Sequence, residues 1–126
     1  MTIEISCLDR DGYHCFRCGT PITFSSQWNC HHRLTSALGP DTSDNRISLC
    51  GFGNNLRDAD GREWCHGWVH QNSREARDSG WIISRHDKRP PAEVPVLHWR
   101  TGWVLLTADF QFIPVTREGE PRADGT

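Results

Sequence analysis

The chain has 126 residues, with six Trp and five Phe, and a formal net charge of −2. That length suits one domain, and the aromatic side chains supply enough large apolar surface for a core. The balance of 14 basic against 16 acidic residues argues against a protein that grips nucleic acid by overall charge, and no apolar run is long enough to span a bilayer.

The first residues, Met1-Thr2-Ile3-Glu4-Ile5, carry neither the basic stretch nor the apolar run of a signal peptide. The expected location is therefore the cytoplasm, where thiols stay reduced and serve metals rather than disulfides. Cys15-x2-Cys18 followed by Gly19 has the form of a zinc knuckle, in which a tight turn aims two thiolates at one ion. Cys50 and Cys65 are the natural second pair for a four-cysteine structural zinc, although fourteen residues separate them. The alternative for these four is a set of buried free thiols or a disulfide. Cys7 and Cys30 are left over as buried or free thiols.

From Ile22 to Cys30 larger residues alternate with polar ones, which predicts a half-buried strand ending near His31-His32. Residues 35–45 are rich in Gly, Pro, Asp, Ser and Thr and read as a loop. A short second strand follows at Arg46-Ile47-Ser48-Leu49-Cys50. A helix is expected over about 65–79, with Gly80 at its C′ position. Trp81-Ile82-Ile83 reads as a strand and 86–95, with three prolines, as a connector. Leu97-His98-Trp99 and Trp103 to Leu106 form an expected hairpin around Arg100-Thr101-Gly102, and 110–115 a further strand. The tail after Arg117 reads as disordered.

Four of the seven histidines fall in two short motifs, Cys30-His31-His32-Arg33 and Cys65-His66-Gly67-Trp68-Val69-His70. On a helix His66 and His70 share one face a turn apart, so two imidazoles can hold one metal ion. The pair His31-His32 can supply a third ligand and a free base beside it. This combination reads as a one-metal site that cuts phosphodiester bonds. Thirteen of the fourteen basic residues are Arg, a type suited to phosphate. Arg33 can clamp a phosphate beside the metal, Arg10 and Arg17 flank the knuckle as further DNA-binding candidates, and Arg85-His86-Asp87-Lys88-Arg89 is a possible DNA-contacting arm.

The order strand, loop, strand, helix around these motifs resembles the HNH endonucleases of the ββα-metal fold, specifically the small phage-encoded type with a four-cysteine zinc. The residues that carry the resemblance are Cys15-Phe16-Arg17-Cys18-Gly19, His31-His32-Arg33, Asp44-Asn45-Arg46-Ile47-Ser48-Leu49-Cys50-Gly51 and Cys65-His66-Gly67-Trp68-Val69-His70. It implies an α+β fold: an HNH core over about 9–80, a C-terminal β extension over about 81–116 and a tail over 117–126. It implies that His32 is the general base, that His31, His66 and His70 hold a catalytic divalent ion, and that Asn45 pins the loop that orients the base. Consecutive strand residues point apart, so His31 and His32 should sit where the strand is ending.

The implied activity is metal-dependent cleavage of DNA, nicking or cutting both strands, that leaves a 5′-phosphate and a 3′-hydroxyl. Three imidazoles suit manganese, nickel, cobalt or zinc better than magnesium, so manganese or nickel is expected to support turnover best. Two further readings follow. One is an accessory subunit that acts with a phage terminase large subunit in DNA packaging, inside the host bacterial cell. The other is a non-catalytic zinc module that binds DNA or protein. The chain is expected as a monomer or homodimer, since one active site nicks and cutting both strands needs two.

Overall fold

A computed structural model describes residues 2–23, 26–35, 37–51, 57, 61 and 63–122. The architecture is α+β. Helix α1 spans Ile3–Arg10, strands β1 and β2 span Trp28–His32 and Arg46–Cys50, and helices α2 and α3 span Cys65–Gln71 and Ser73–Asp78. A second sheet follows, with β3 at Val96–His98, β4 at Gly102–Leu106 and β5 at Phe112–Pro114.

The centre of the fold is a hairpin with a helix laid across it. β1 and β2 pair antiparallel from Trp28↔Cys50 to His32↔Arg46. All five residues of β2 are buried, because α1 packs against it and α2 against both strands. β3, β4 and β5 form an antiparallel meander. Leu8, Phe16, Ile47, Leu49, Val69, Ala76, Trp81, Val96, Val104 and Leu106 share one core, so helices, hairpin and meander are fastened through a common apolar centre.

Several expected elements differ. The first strand begins at Trp28 rather than Ile22, since Ile22 donates its N–H to Tyr13 O and closes the cysteine knuckle instead. The single helix expected over 65–79 is two, broken at Asn72, which adopts φ −122° and ψ 55°. Its side-chain amide competes for the Trp68 carbonyl that its own backbone N–H already uses, and Asn, Asp and Ser interrupt helices in this way. The C-terminal stop at Gly80 takes the expected form: Gly80 N–H bonds Arg77 O and Trp81 N–H bonds Ala76 O. Gly80 has φ +77°, and a Cβ there would lie 2.1 Å from the Pro95 carbonyl oxygen, so no side chain fits.

Trp81-Ile82-Ile83 joins no sheet; its ties are separate bonds, among them Ile83 N–H to Arg33 O and Trp81 Nε1–H to Leu97 O. The meander's last strand is Phe112–Pro114, shorter than the expected 110–115. The tail expected to be disordered is fixed over 117–122, where Val115 bridges Pro121 and Arg122 Nη2 donates to Thr101 O. Residues 123–126 lie outside the described residues, as does most of the 51–64 loop. Helix α1 has no counterpart among the expected elements. No helix among the described residues is long and apolar enough to cross a membrane.

Three arginines act as internal ties. Arg33 is 1 % exposed and donates to Gly80 O, Asp44 O, Pro91 O and Val94 O at 2.7–3.0 Å. Arg10 pairs with Asp11 and donates to Ser43 O and Arg46 O, while Asp11 accepts the Ser48 N–H. Arg46 reaches Glu4 and Asp41. Replacing Arg33 with Met keeps the bulk but strands four carbonyl oxygens. We predict a stability loss on the order of 3 kcal/mol or more in urea unfolding, and a loss below about 1 kcal/mol would contradict this account of the fold.

Candidate metal centre

Two groups of metal-capable side chains stand on either side of the start of α2. In each, the ligand atoms lie within 4.8 Å of one another.

The first group is Cys15, Cys18, Cys50 and Cys65. Gly19 makes the knuckle turn: it has φ +79°, and its N–H closes on Cys15 O at 2.9 Å. The Trp99 indole covers Gly19 so closely that a Cβ there would lie 2.5 Å from the ring. Cys50 ends β2 and Cys65 opens α2. Cys18 Sγ and Cys50 Sγ are 3.8 Å apart. A disulfide needs about 2.05 Å, whereas four sulfurs at about 2.3 Å from a tetrahedral zinc are about 3.8 Å apart. The residues therefore fit a zinc ion.

The surroundings suit thiolates. The Cys65 backbone N–H points at Cys50 Sγ at 3.4 Å, and Arg17 Nη1 donates to Cys65 Sγ at 3.2 Å. Hydrogen bonds among the thiols push Cys15 and Cys65 up and Cys18 and Cys50 down. A dication at the centre removes that conflict, because all four can then ionise.

The second group is His31, His66 and His70. His66 Nε2 and His70 Nε2 are 3.3 Å apart, close to the roughly 3.3–3.4 Å edge of a tetrahedral ion with metal–nitrogen bonds of about 2.0–2.1 Å. The three rings meet at steep angles, 75–81°, with centroids 4.7–5.4 Å apart, so their edges converge. His31 Nε2 lies 2.8 Å from the Trp81 carbonyl oxygen. A carbonyl only accepts, so this nitrogen carries the proton and Nδ1 keeps its lone pair for a metal. Histidine ligands are commonly fixed in this way by a backbone carbonyl.

Burial pushes the His31 imidazole down to about 3, and His66 and His70 beside it act in the same direction. Burial, with His66 second, also lowers His70. Both are neutral donors at neutral pH.

His32 lies one residue on and lines the same cavity of about 350 Å³ as His31, His66 and His70. Its Nε2 is 3.0 Å from Asp41 Oδ1. Asn45 is fully buried; its side-chain N–H groups hold Leu34 O and Pro40 O and its Oδ1 accepts the Leu34 N–H, so it ties both ends of the loop between β1 and β2. His31 and His32 occupy the last two positions of β1.

The arginines expected at DNA are elsewhere. Arg33 and Arg10 are consumed by the interior bonds described above. Arg17 lies over the Trp68 ring at 3.8 Å and binds Glu63 and the Cys65 sulfur, so it serves the thiolate cluster rather than a phosphate. Sequence reasoning missed Asp41 and the Trp81 carbonyl. Asp41 sits in Gly39-Pro40-Asp41-Thr42-Ser43, where it is indistinguishable from a turn residue. A backbone acceptor has no sequence signal at all. Comparison with known protein families, characterised proteins and solved structures finds no match to this chain.

Elemental analysis of protein purified at neutral pH should find one zinc per chain that survives desalting and disappears in Cys18→Ser; a zinc-free protein with an unchanged thermal transition would contradict the cysteine site. A pH dependence also follows for the metal-free protein. An unfolded His31 binds its proton near 6.5, a folded one only near 3. Between these values the unfolded state holds the extra proton, so stability falls as pH drops through that window. Denaturant midpoints that stay flat from pH 7 to 4 would contradict the buried neutral assignment of His31.

Proposed function

We propose that this chain is a metal-dependent DNA endonuclease of the HNH, ββα-metal type. The observation that carries the reading is the convergence of His31, His66 and His70 on one point at the end of a β–β–α unit, with His32 lining the same cavity. A structural zinc site or a packed core needs no such set. It joins three imidazoles placed to hold one ion to a fourth that is only partly buried.

His31, His66 and His70 would hold the catalytic ion, and three protein ligands leave positions open for substrate. When bound, a divalent cation supplies charge to the scissile phosphate and to the departing alkoxide oxygen. His32 takes the proton from the attacking water as general base, which requires a neutral ring with one bare nitrogen. Asn45 holds the loop that follows β1 and so keeps His32 at the cavity rim. In-line attack breaks the P–O3′ bond and leaves a 5′-phosphate and a 3′-hydroxyl. The three-imidazole set favours manganese, nickel, cobalt or zinc over magnesium.

DNA fits the site chemically and the surface in one further respect. Ile82 forms a wall of the cavity, and the chain runs directly from it into Arg85, Lys88 and Arg89. These side chains are exposed, and Arg89 pairs with Asp87. With Arg10, Arg17 and Arg33 engaged within the protein, this arm is the part of the expected DNA-contacting set that would meet phosphate.

The test is a plasmid-nicking assay on metal-stripped protein reloaded with zinc at the cysteines, then given manganese, nickel or magnesium. We predict metal-dependent loss of supercoiled DNA, with manganese or nickel best, falling at least about 100-fold in His32→Ala. Cutting that persists in His32→Ala would remove the base assignment. A chain that cuts only with a terminase large subunit present would be the accessory subunit, and one that never cuts would be a binding module.

A further inference from the structure

Beside His32 stands a carboxylate that the nuclease reading does not use. Asp41 lies in the loop between β1 and β2, and its Oδ1 meets His32 Nε2 at 3.0 Å. The same carboxylate is paired with Arg46 Nη2. Arg46 is itself fixed: its side chain is 7 % exposed, it also reaches Glu4, and its position in β2 is directly opposite His32 in β1. Asn45, next in sequence to Arg46, holds the Pro40 carbonyl one residue before Asp41. Asp41 is thus an exposed side chain held in place from two directions by buried groups.

We propose that Asp41 is the positioning residue of the His32 base. It accepts the Nε2–H of His32, so the ring is held as the tautomer with a bare Nδ1 and in one orientation at the cavity. The inference rests on the nuclease reading for its kinetic consequence, though not for the tautomer. An ionised carboxylate can only accept a hydrogen bond, and Arg46, with His32 second, holds the Asp41 carboxyl below its usual range. The bond must therefore run from Nε2–H to Oδ1. Arg46 orients the carboxylate as the carboxylate orients the ring, which gives the chain Arg46–Asp41–His32 with Nδ1 at its free end. An acid that holds a histidine base in one tautomer raises turnover without touching substrate.

The test has two independent arms on zinc-loaded protein. Nitrogen-15 NMR of the His32 ring, recorded where it is neutral, should show the Nε2–H tautomer in the native chain and a tautomer mixture in Asp41→Ala. An unchanged tautomer in Asp41→Ala would overturn the proposal whether or not the protein cuts DNA. In manganese-supported cleavage, Asp41→Ala should lower kcat about 10- to 100-fold with KM and manganese affinity unchanged, and Asp41→Asn, which keeps an acceptor oxygen, should fall between. In a His32→Ala background, Asp41→Ala should cost nothing more, because the group it positions is gone. An equal loss in both backgrounds, or a loss that follows manganese affinity, would assign Asp41 to structure or metal binding and overturn the proposal. A native chain that never cuts defeats the nuclease reading alone, and the NMR arm still decides Asp41.

Discussion

Four sulfur atoms drawn from three separate segments meet at one point, and the placement of α2 follows from that meeting. Cys15 and Cys18 come from the knuckle, Cys50 from the end of β2, and Cys65 from the first residue of α2. A seven-residue helix has little stability of its own. Anchored at Cys65, it is held across the hairpin whatever path the chain takes between 51 and 64. His66 is the next residue and His70 is one turn further. The sulfur cluster therefore sets the distance from these two imidazoles to His31 on β1. The sulfur cluster and the imidazole group are adjacent links in one chain of constraints.

The other side of the cavity is fixed by polar groups in the interior rather than by a metal. Asn45 and Arg33 occupy the junction of β1, β2 and the segment leading to the meander. Each satisfies carbonyl oxygens that the loops would otherwise leave unpaired. Arginine suits this task because its planar head presents five donors at once. Such bonds take Arg33, which lines the cavity, and the Arg10 side chain out of contact with solvent. The Trp81 carbonyl belongs to the same scheme. The irregular Trp81–Ile83 segment spends that acceptor on His31 Nε2, which a regular strand would have spent on a neighbouring strand.

The metal-capable side chains were the most legible part of the sequence. Cysteine and histidine spacing pointed to six of the seven residues that the structure gathers into two groups and to the pair His31-His32 for the seventh, where the family resemblance singled out His31. The strand at Arg46–Cys50 and the stop at Gly80 were also readable, from a short apolar run and from a residue that alone tolerates the conformation. Alternation misled at Ile22, where the cysteine turn captures the residue, and a short apolar run misled at Trp81-Ile82-Ile83, whose apolar character reflects packing in the core. Helix α1 was hidden because Ile3 and Ile5 alternate like a strand, while its actual determinants, the Thr2 cap and the Arg10–Asp11 tie to β2, depend on tertiary contacts. Arginine roles were the least legible. Nothing in a sequence distinguishes a guanidinium that meets phosphate from one that meets buried carbonyls.

Two chemically distinct groups joined at Cys65-His66, one of thiols and one of imidazoles, could each hold a metal ion. Cobalt(II) titration of metal-free protein, followed by absorption, addresses this directly. The account predicts two binding steps: a tight one with strong thiolate-to-cobalt charge transfer, and a weaker one with ligand-field bands alone that is lost in His66→Ala. A single step, or charge transfer accompanying both, would contradict it.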